Sequence, residues 1–315
     1  MSNRLVSIII VTAGIKDYIL ACLESIKSQV YSSLEIIVID NSLNIKVADK
    51  ILHSYPSVKL YSGPANLSYC DSLNLGIKAS KGEFILCLND DAALDKRFIQ
   101  EALKGFSIDE HIGMVSGKIL RLDRHTIDST GLYLSIFRTA QERGYGQKDR
   151  KQFEKAGYIF GVNGAVAFYR RQMLEKLKID SEYFDSDFRF FYEDLDMAWR
   201  AQNFGWKAYY IPTAVAYHVR GASARQGKGL NKRFARRYLD KDLFFDLIKN
   251  RYLTIIKNEY ILRFLLFLPY IIFYDFIAYA YIALFRPFLI KDLFLKTIPV
   301  KSAFRKRESL HNRQA

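Results

Sequence analysis

The chain has 315 residues, half of them hydrophobic and 15% aromatic, enough for one large domain with a well-buried core or for a domain plus an appendage. Its three cysteines, Cys22, Cys70 and Cys87, fall in no motif spacing, which argues against a metal cluster and for a reducing compartment. The formal charge of +14 is lopsided: residues 225–315 carry 19 Lys/Arg against 7 Asp/Glu, whereas residues 1–224 carry 28 against 26. The expected division is a near-neutral globular domain, 1–224, and a basic extension, 225–315, of the kind that meets nucleic acid or an anionic membrane surface.

The N-terminus reaches an apolar run by Leu5 without a basic leader or a small-residue cleavage site, so no signal peptide is expected. Val6 to Val11 is a continuous β-branched run and reads as a buried parallel strand. Helical spacing from Tyr18 to Gln29 and a second buried strand, Leu34 to Ile39, complete a βαβ unit. In open parallel sheets ligands bind beyond the carboxyl ends of the strands, where Thr12 and Asp40 fall. No Gly-x-Gly-x-x-Gly follows the first strand, which leaves out a dinucleotide fingerprint.

A short strand at Val58–Tyr61, a loop from Asn66 to Tyr69 and a helix from Asp71 to Lys78 come next. The strand Phe84–Leu88 then ends in Asn89-Asp90-Asp91-Ala92. The following helix, read from Lys96 to Gly105, is expected to use Asp95 as its cap, which leaves Asp90 and Asp91 spare. Two spare carboxylates at a strand end suit a hard cation, or else form a solvated acidic loop. After a strand at Ile112–Ile119, residues Arg121 to Lys155 show weak periodicity and read as a variable or mobile insert. The small pair Gly164-Ala165 inside the apolar run Tyr158–Phe168 allows either close approach of a substrate or tight packing.

Phe190 to Asp196 reads Phe-Phe-Tyr-Glu-Asp-Leu-Asp, with aromatic residues running directly into three carboxylates. Buried carboxylates are costly unless something cationic or hydrogen-bonding meets them, so this pattern suits the wall of a pocket. The helix that follows places the acids at a positive helix terminus, with Asp194 or Asp196 as its N-cap, and the aromatics as a buried strand or wall. Strands at Lys207–Ile211 and Val215–His218 close the domain, and His218 at a strand end is either structural or a ligand.

The extension opens with five Lys/Arg between Lys228 and Arg237. An amphipathic helix follows from Phe244 to Ile256, and then the 22-residue stretch Phe264–Phe285, interrupted only by Pro269 and Asp275. Pro269 is expected to start a new helix, and an acid at 275 is costly in lipid. This favours an interfacial or re-entrant hairpin flanked by Arg263, Arg286, Lys291 and Lys296 over a single crossing near 264–285 or a soluble helical subdomain. The aromatic and apolar density favours membrane docking over nucleic acid.

Taken in order, Val6–Thr12, Ile36–Ser42, Asn66, Gly76–Ala79, Leu88–Ala92, Gly164–Ala165, Phe184–Arg200, Gly205–Pro212 and Tyr217–Ser223 resemble the inverting family 2 glycosyltransferases, and more closely their rhamnosyltransferase-like branch. The resemblance implies a GT-A fold: a Rossmann-like, nucleotide-sugar-binding α/β domain with a mostly parallel central sheet flanked by helices, followed here by the helical extension. It implies that Thr12, Asp40, Asn66 and Asp90 serve the nucleotide. Asp91 would be the main ligand of Mg²⁺ or Mn²⁺ with His218 beside it, Asp194 the general base supported by Glu193, and Gly164 and Ala165 would face the acceptor. The implied donor is a nucleotide-diphosphate sugar, with dTDP-rhamnose leading. The implied acceptor is a saccharide, free or on a polyprenyl diphosphate, at the cytoplasmic membrane face, in cell-surface polysaccharide synthesis. Two departures stand out: Thr12-Ala13-Gly14 lacks the usual aromatic form after the first strand, and Asn66-Leu67 lacks the usual glycine. A nucleotidyltransferase or a catalytically degenerate membrane scaffold are the competing readings.

Overall fold

The computed structural model describes residues 4–14, 18–63, 67–219, 239–296 and 298–313. Asn66 and the basic run 228–237 lie outside them. The core is a mixed, mostly parallel sheet built in the order β10-β12-β6-β11-β4-β1-β2-β3. Its centre is β1 (Val6–Thr12), paired in parallel with β2 (Leu34–Asp40) and β4 (Phe84–Asn89). The edge strand on that side is β3 (Lys59–Ser62), parallel to β2. On the other side β11 (Val166–Arg170) runs antiparallel between β4 and β6 (Ile112–Arg121). Next come β12 (Lys207–His218), parallel to β6, and β10 (Gly157–Ile159). Two short strands branch off: β5 (Ala92–Leu94) on β12 and β7 (Ile127–Ser129) on β6.

The continuous apolar strands are explained by helices on both faces. On one face Ile8, Ile10, Val38, Leu86 and Leu88 meet α1 (Tyr18–Lys27), α2 (Ile45–Ser54) and α4 (Phe98–Gly105). The alternate residues Ile9, Ile37, Ile39, Ile85 and Cys87 meet α3 (Tyr69–Ala79), α5 (Arg171–Leu177) and α6 (Glu193–Asn203) on the other. The period of two along each strand thus becomes two cores. Gly76 lets α3 lie against β1, because a Cβ there would sit 2.3 Å from Ile9 Cγ2. The three cysteines are free and buried.

Four expectations are corrected. The segment 121–155 is built in: β7 joins the main sheet, and β8 (Leu132–Leu134) pairs with β9 (Ala140–Glu142). Helix α4 begins at Phe98 rather than Lys96, because the Asp95 carboxylate takes the Arg97 amide in a local turn. Residues 190–192 form no strand; Phe191 and Tyr192 are both left-handed, at φ 72° and 69°, and Tyr192 rather than an acid is the N-cap of α6. Each such non-glycine residue costs about 1–2 kcal/mol. Finally, Pro269 does not divide the apolar stretch.

That stretch is one helix. After α7 (Lys241–Asn258) comes α8 (Ile261–Phe285), which carries Pro269 inside it and is the one helix among the described residues long and apolar enough to cross a membrane. Short helices α9 (Phe288–Leu295) and α10 (Val300–His311) follow. A buried ionic cluster pins α7 and α10 to the sheet domain. Lys257 bonds Asp185 and lies 3.0 Å from Asp196, Lys306 bonds Asp185, and Arg138 bonds Glu259. Only one face of α8 is packed. Arg251 on α7 bonds Asp275 at 2.5 Å, Arg138 sits 3.6 Å over the Phe267 ring, and Tyr274 packs near Phe137. The opposite face is exposed, with Leu262 at 79% and Phe276 at 72%.

Candidate active site

The strand ends converge on a cavity of about 600 Å³, lined from the sheet side by Thr12, Asn41, Asn89, Asp90, Asp91 and His218 and from the facing side by Gly164, Glu193 and Asp194. Asn89 ends β4, and the next two residues form the turn into β5. Thr12 Oγ1 donates to Asp90 Oδ2 at 2.6 Å and receives the Gly14 amide. Burial raises the Asp90 carboxyl to about 6, against the lowering effect of the Thr12 bond.

Pairing of β5 with β12 sets His218 opposite Ala92 and so beside Asp91. The His218 Nε2 lies 3.2 Å from Asp91 Oδ1, and Nδ1 lies 2.8 Å from Asp128 Oδ2. Burial disfavours the imidazolium, but the bonds to Asp128 and then Asp91 outweigh it and raise the pKa to about 9. Asp128 is fully buried on β7. A carboxylate behind a histidine fixes its tautomer and ring orientation, the arrangement that supports metal-binding imidazoles. Among the described residues no group of three His, Cys, Asp or Glu could hold a metal ion. The Asp91–His218 pair would supply one carboxylate and, once Nε2 gives up its proton, one imidazole to a divalent cation whose other positions are filled by donor oxygens.

The facing wall is held to the same strand end. The Asn89 amide donates to Ala165 O, and the Ala165 amide to Asn163 Oδ1. The Gly164 amide donates to Asp194 Oδ2 at 3.0 Å, and Asp194 Oδ1 receives the Leu195 amide at 2.7 Å. Both acids occupy the first turn of α6, where the helix dipole favours negative charge. Burial, and then the neighbouring Asp194, raise Glu193 to about 8, and its Oε2 is buried with no partner. Burial thus favours the protonated form of Glu193, whereas both Asp194 oxygens are met by backbone N–H groups, which favour a carboxylate there. Asp196, the third acid, points away into the buried cluster with Arg200, Lys257 and Asn258.

Of the other expected positions, Ala165 lines the cavity, whereas Asp40 is buried at the end of β2 with Oδ1 on the Ser42 amide and lies outside the lining. Sequence reading missed Asp128, Glu142 and Asn163, which come from the segment read as an insert and from the apolar run beside it. The aromatics Phe190 and Phe191 line the cavity as the expected wall, but sequence reading missed Leu239, Leu243 and Leu247, which complete an apolar limb with them.

With this geometry described, comparison with known proteins identifies the family. The model of the glycosyltransferase-like family 2 matches residues 3–239. A poly-beta-1,6-N-acetyl-D-glucosamine synthase of Staphylococcus epidermidis is 24% identical over 200 residues, covering 62% of this chain and 45% of the relative. An uncharacterized glycosyltransferase of Haemophilus influenzae is 28% identical over 111 residues, 34% of each chain. The chain thus spans less than half the length of these relatives. Among solved structures, GalNAc-T7 with UDP, GalNAc and Mn²⁺ superposes with a TM-score of 0.64 at 13% identity, over 98% of this chain and 55% of that one. That likeness concerns the fold, which is GT-A-like.

Proposed function

The chain belongs to the family 2-like glycosyltransferases, and from that membership we propose an inverting, cation-assisted transfer of a sugar from a nucleotide-diphosphate donor to a saccharide hydroxyl. The observation that carries the proposal is the cavity itself, where Asp91 and His218 face the Glu193–Asp194 pair across one space. Thr12 and Asp90, which line the cavity, are assigned to the donor nucleotide, Asp40 and Asn66 carry the same assignment on the sequence resemblance alone, and Gly164 and Ala165 are assigned to the acceptor side. Asp91 and His218 are the residues that would hold Mg²⁺ or Mn²⁺. When bound, such a cation neutralises charge growing on the departing nucleoside diphosphate.

Asp194 takes the acceptor hydroxyl's proton as its oxygen attacks the anomeric carbon. The sugar–diphosphate bond breaks on the opposite face, which inverts the centre in one step. A positioned base of this kind contributes roughly 10²–10⁴-fold. The raised pKa of Glu193 supports Asp194 for this role.

The domain division at 224/225 and the membrane reading belong to the same proposal. The exposed apolar face of α8 supports docking at the cytoplasmic membrane face, in the plane of the bilayer. A spanning orientation is disfavoured because Asp275, near mid-helix, is tied to Arg251, which also donates to Phe137 O in the sheet domain. The apolar limb beside the facing wall supports an acceptor on a polyprenyl diphosphate, in cell-surface polysaccharide synthesis. For the donor, dTDP-L-rhamnose comes first on the sequence resemblance and UDP-N-acetylglucosamine second on the staphylococcal match.

Thermal-shift measurements with a nucleotide-sugar panel, with and without Mn²⁺, test the class. Stabilisation by one nucleotide sugar that strengthens with Mn²⁺ is expected. No response to any member would favour a degenerate scaffold.

A further inference from the structure

We propose that Asn250, in the middle of α7, is a positioning residue for the catalytic carboxylate. The inference rests on the reading of Asp194 as the base. The segment leading into α6 needs an external hold: Phe191 and Tyr192 are both left-handed, and no side chain caps the helix start. Two bulky residues in that conformation persist only when their surroundings over-determine them. The hold comes from α7. The Asn250 side-chain amide donates to Phe190 O and Phe191 O, both at 2.8 Å, and the residue is fully buried. Its two N–H groups thus hold the carbonyl that precedes each of the two left-handed residues.

The neighbouring contacts point the same way. Lys249 Nζ donates to Asp187 O at 2.7 Å, and Arg189 pairs with Asp246 at 2.9 Å. At the far end of α7, Asn258 Nδ2 and Lys257 Nζ both reach Asp196. One helix outside the sheet therefore grips the base-bearing segment from residue 187 to residue 196. None of these α7 groups lines the cavity, so they act on the reaction only through the segment they hold, which carries Glu193 and Asp194 and the lining residues Arg189, Phe190 and Phe191. A misplacement of about 1 Å at such a group costs on the order of 10²-fold in rate.

The test uses the full chain with its active donor and compares kcat and donor KM for Asn250→Ala, Phe191→Gly, the double variant, Thr254→Val and Asp194→Asn. Thr254→Val removes a buried bond of the same helix, to Asn250 O, without touching the catalytic segment. Asn250→Ala is expected to lower kcat by on the order of 10²-fold with donor KM unchanged, and Thr254→Val to keep kcat. Phe191 also lines the cavity, so the rescue is read against Phe191→Gly alone: because glycine accepts positive φ freely, Asn250→Ala should cost less in that background than in the wild type. Wild-type kcat in Asn250→Ala, an equal loss in Thr254→Val, or a loss undiminished by Phe191→Gly would overturn the proposal. If Asn250→Ala fails to fold, Asn250→Asp keeps the shape and replaces the donor with an acceptor, and the same loss is expected. Full activity in Asp194→Asn would instead remove the base reading itself.

Discussion

The Asp194 carboxylate is bound to the backbone of Gly164: Oδ2 accepts the Gly164 amide at 3.0 Å. A Cβ on residue 164 would lie 3.3 Å from Glu193 Oε1 and 3.4 Å from Asp194 Oδ2. A side chain at 164 would therefore press on both carboxylates at once. Gly164→Val should push both carboxylates out of place and lower kcat by on the order of 10²-fold. Nucleotide-sugar binding, followed by thermal shift, should persist. Wild-type kcat in this variant would show that the contact does not set the base.

Asp128 stands behind His218 at 2.8 Å. Asp128→Asn should weaken Mn²⁺ binding by about 10–100-fold through loss of imidazole orientation. Asp91→Ala should weaken it further by removing a ligand. Titration followed by the Mn²⁺ resonance signal reads both. An unchanged affinity in Asp128→Asn would reduce the residue to a packing role.

Glu193 predicts a pH dependence of stability. Its carboxyl stands at about 8 in the folded chain against an ordinary 4.5. Between those values the folded state holds a proton that the unfolded state has released. Its contribution is therefore complete below about pH 4.5 and is lost as pH rises toward 8. Denaturant unfolding across that window should show stability falling with pH, and Glu193→Gln should flatten the curve. Parallel curves for the two proteins would contradict the assignment.

Lys257 is fully buried among Asp185, Asp196 and the Phe188 ring. Removing one member of a buried ionic cluster leaves uncompensated charge, at a cost of about 3–5 kcal/mol. Lys257→Met should show that loss in urea unfolding. Wild-type stability would mean that Lys306 and Arg200 suffice.

The outward face of α8 predicts membrane binding. Leu266→Asp with Phe276→Asp should weaken flotation with anionic vesicles at least tenfold, given about 1.5–3 kcal/mol per large apolar side chain withdrawn from lipid. Leu52→Asp, on the exposed face of α2, serves as the control and should change nothing. Equal binding by the double variant and the control would rule out α8 as the docking face.

What the sequence made legible was whatever has a local signature. β1, β2 and β4 are continuous apolar runs, and Asp90-Asp91, Glu193-Asp194 and His218 mark the ends of elements. Asp128 left no such trace, because β7 is three residues long and acquires its meaning only by pairing with β6. Asn250 reads in sequence as one polar position on a helix; its role depends on carbonyls sixty residues earlier. Of the strand or wall expected at 190–192, the wall is there but the strand is not, since aromatic β-propensity yields to a tertiary grip that bends the chain. Pro269 stays within α8, where the neighbouring Phe267 and Tyr270 rings meet Arg138 and Phe137 of the sheet domain, contacts that no local rule contains.

The most direct measurement is the rate of nucleoside diphosphate release from dTDP-L-rhamnose and UDP-N-acetylglucosamine with Mn²⁺, with and without a polyprenyl-diphosphate-linked saccharide, for the wild type and Asp194→Asn. The account predicts release that depends on the acceptor, falls by roughly 10²–10⁴-fold in Asp194→Asn, and leaves donor-induced stabilisation intact. Equal rates in the two proteins, or release indifferent to the acceptor, would contradict it.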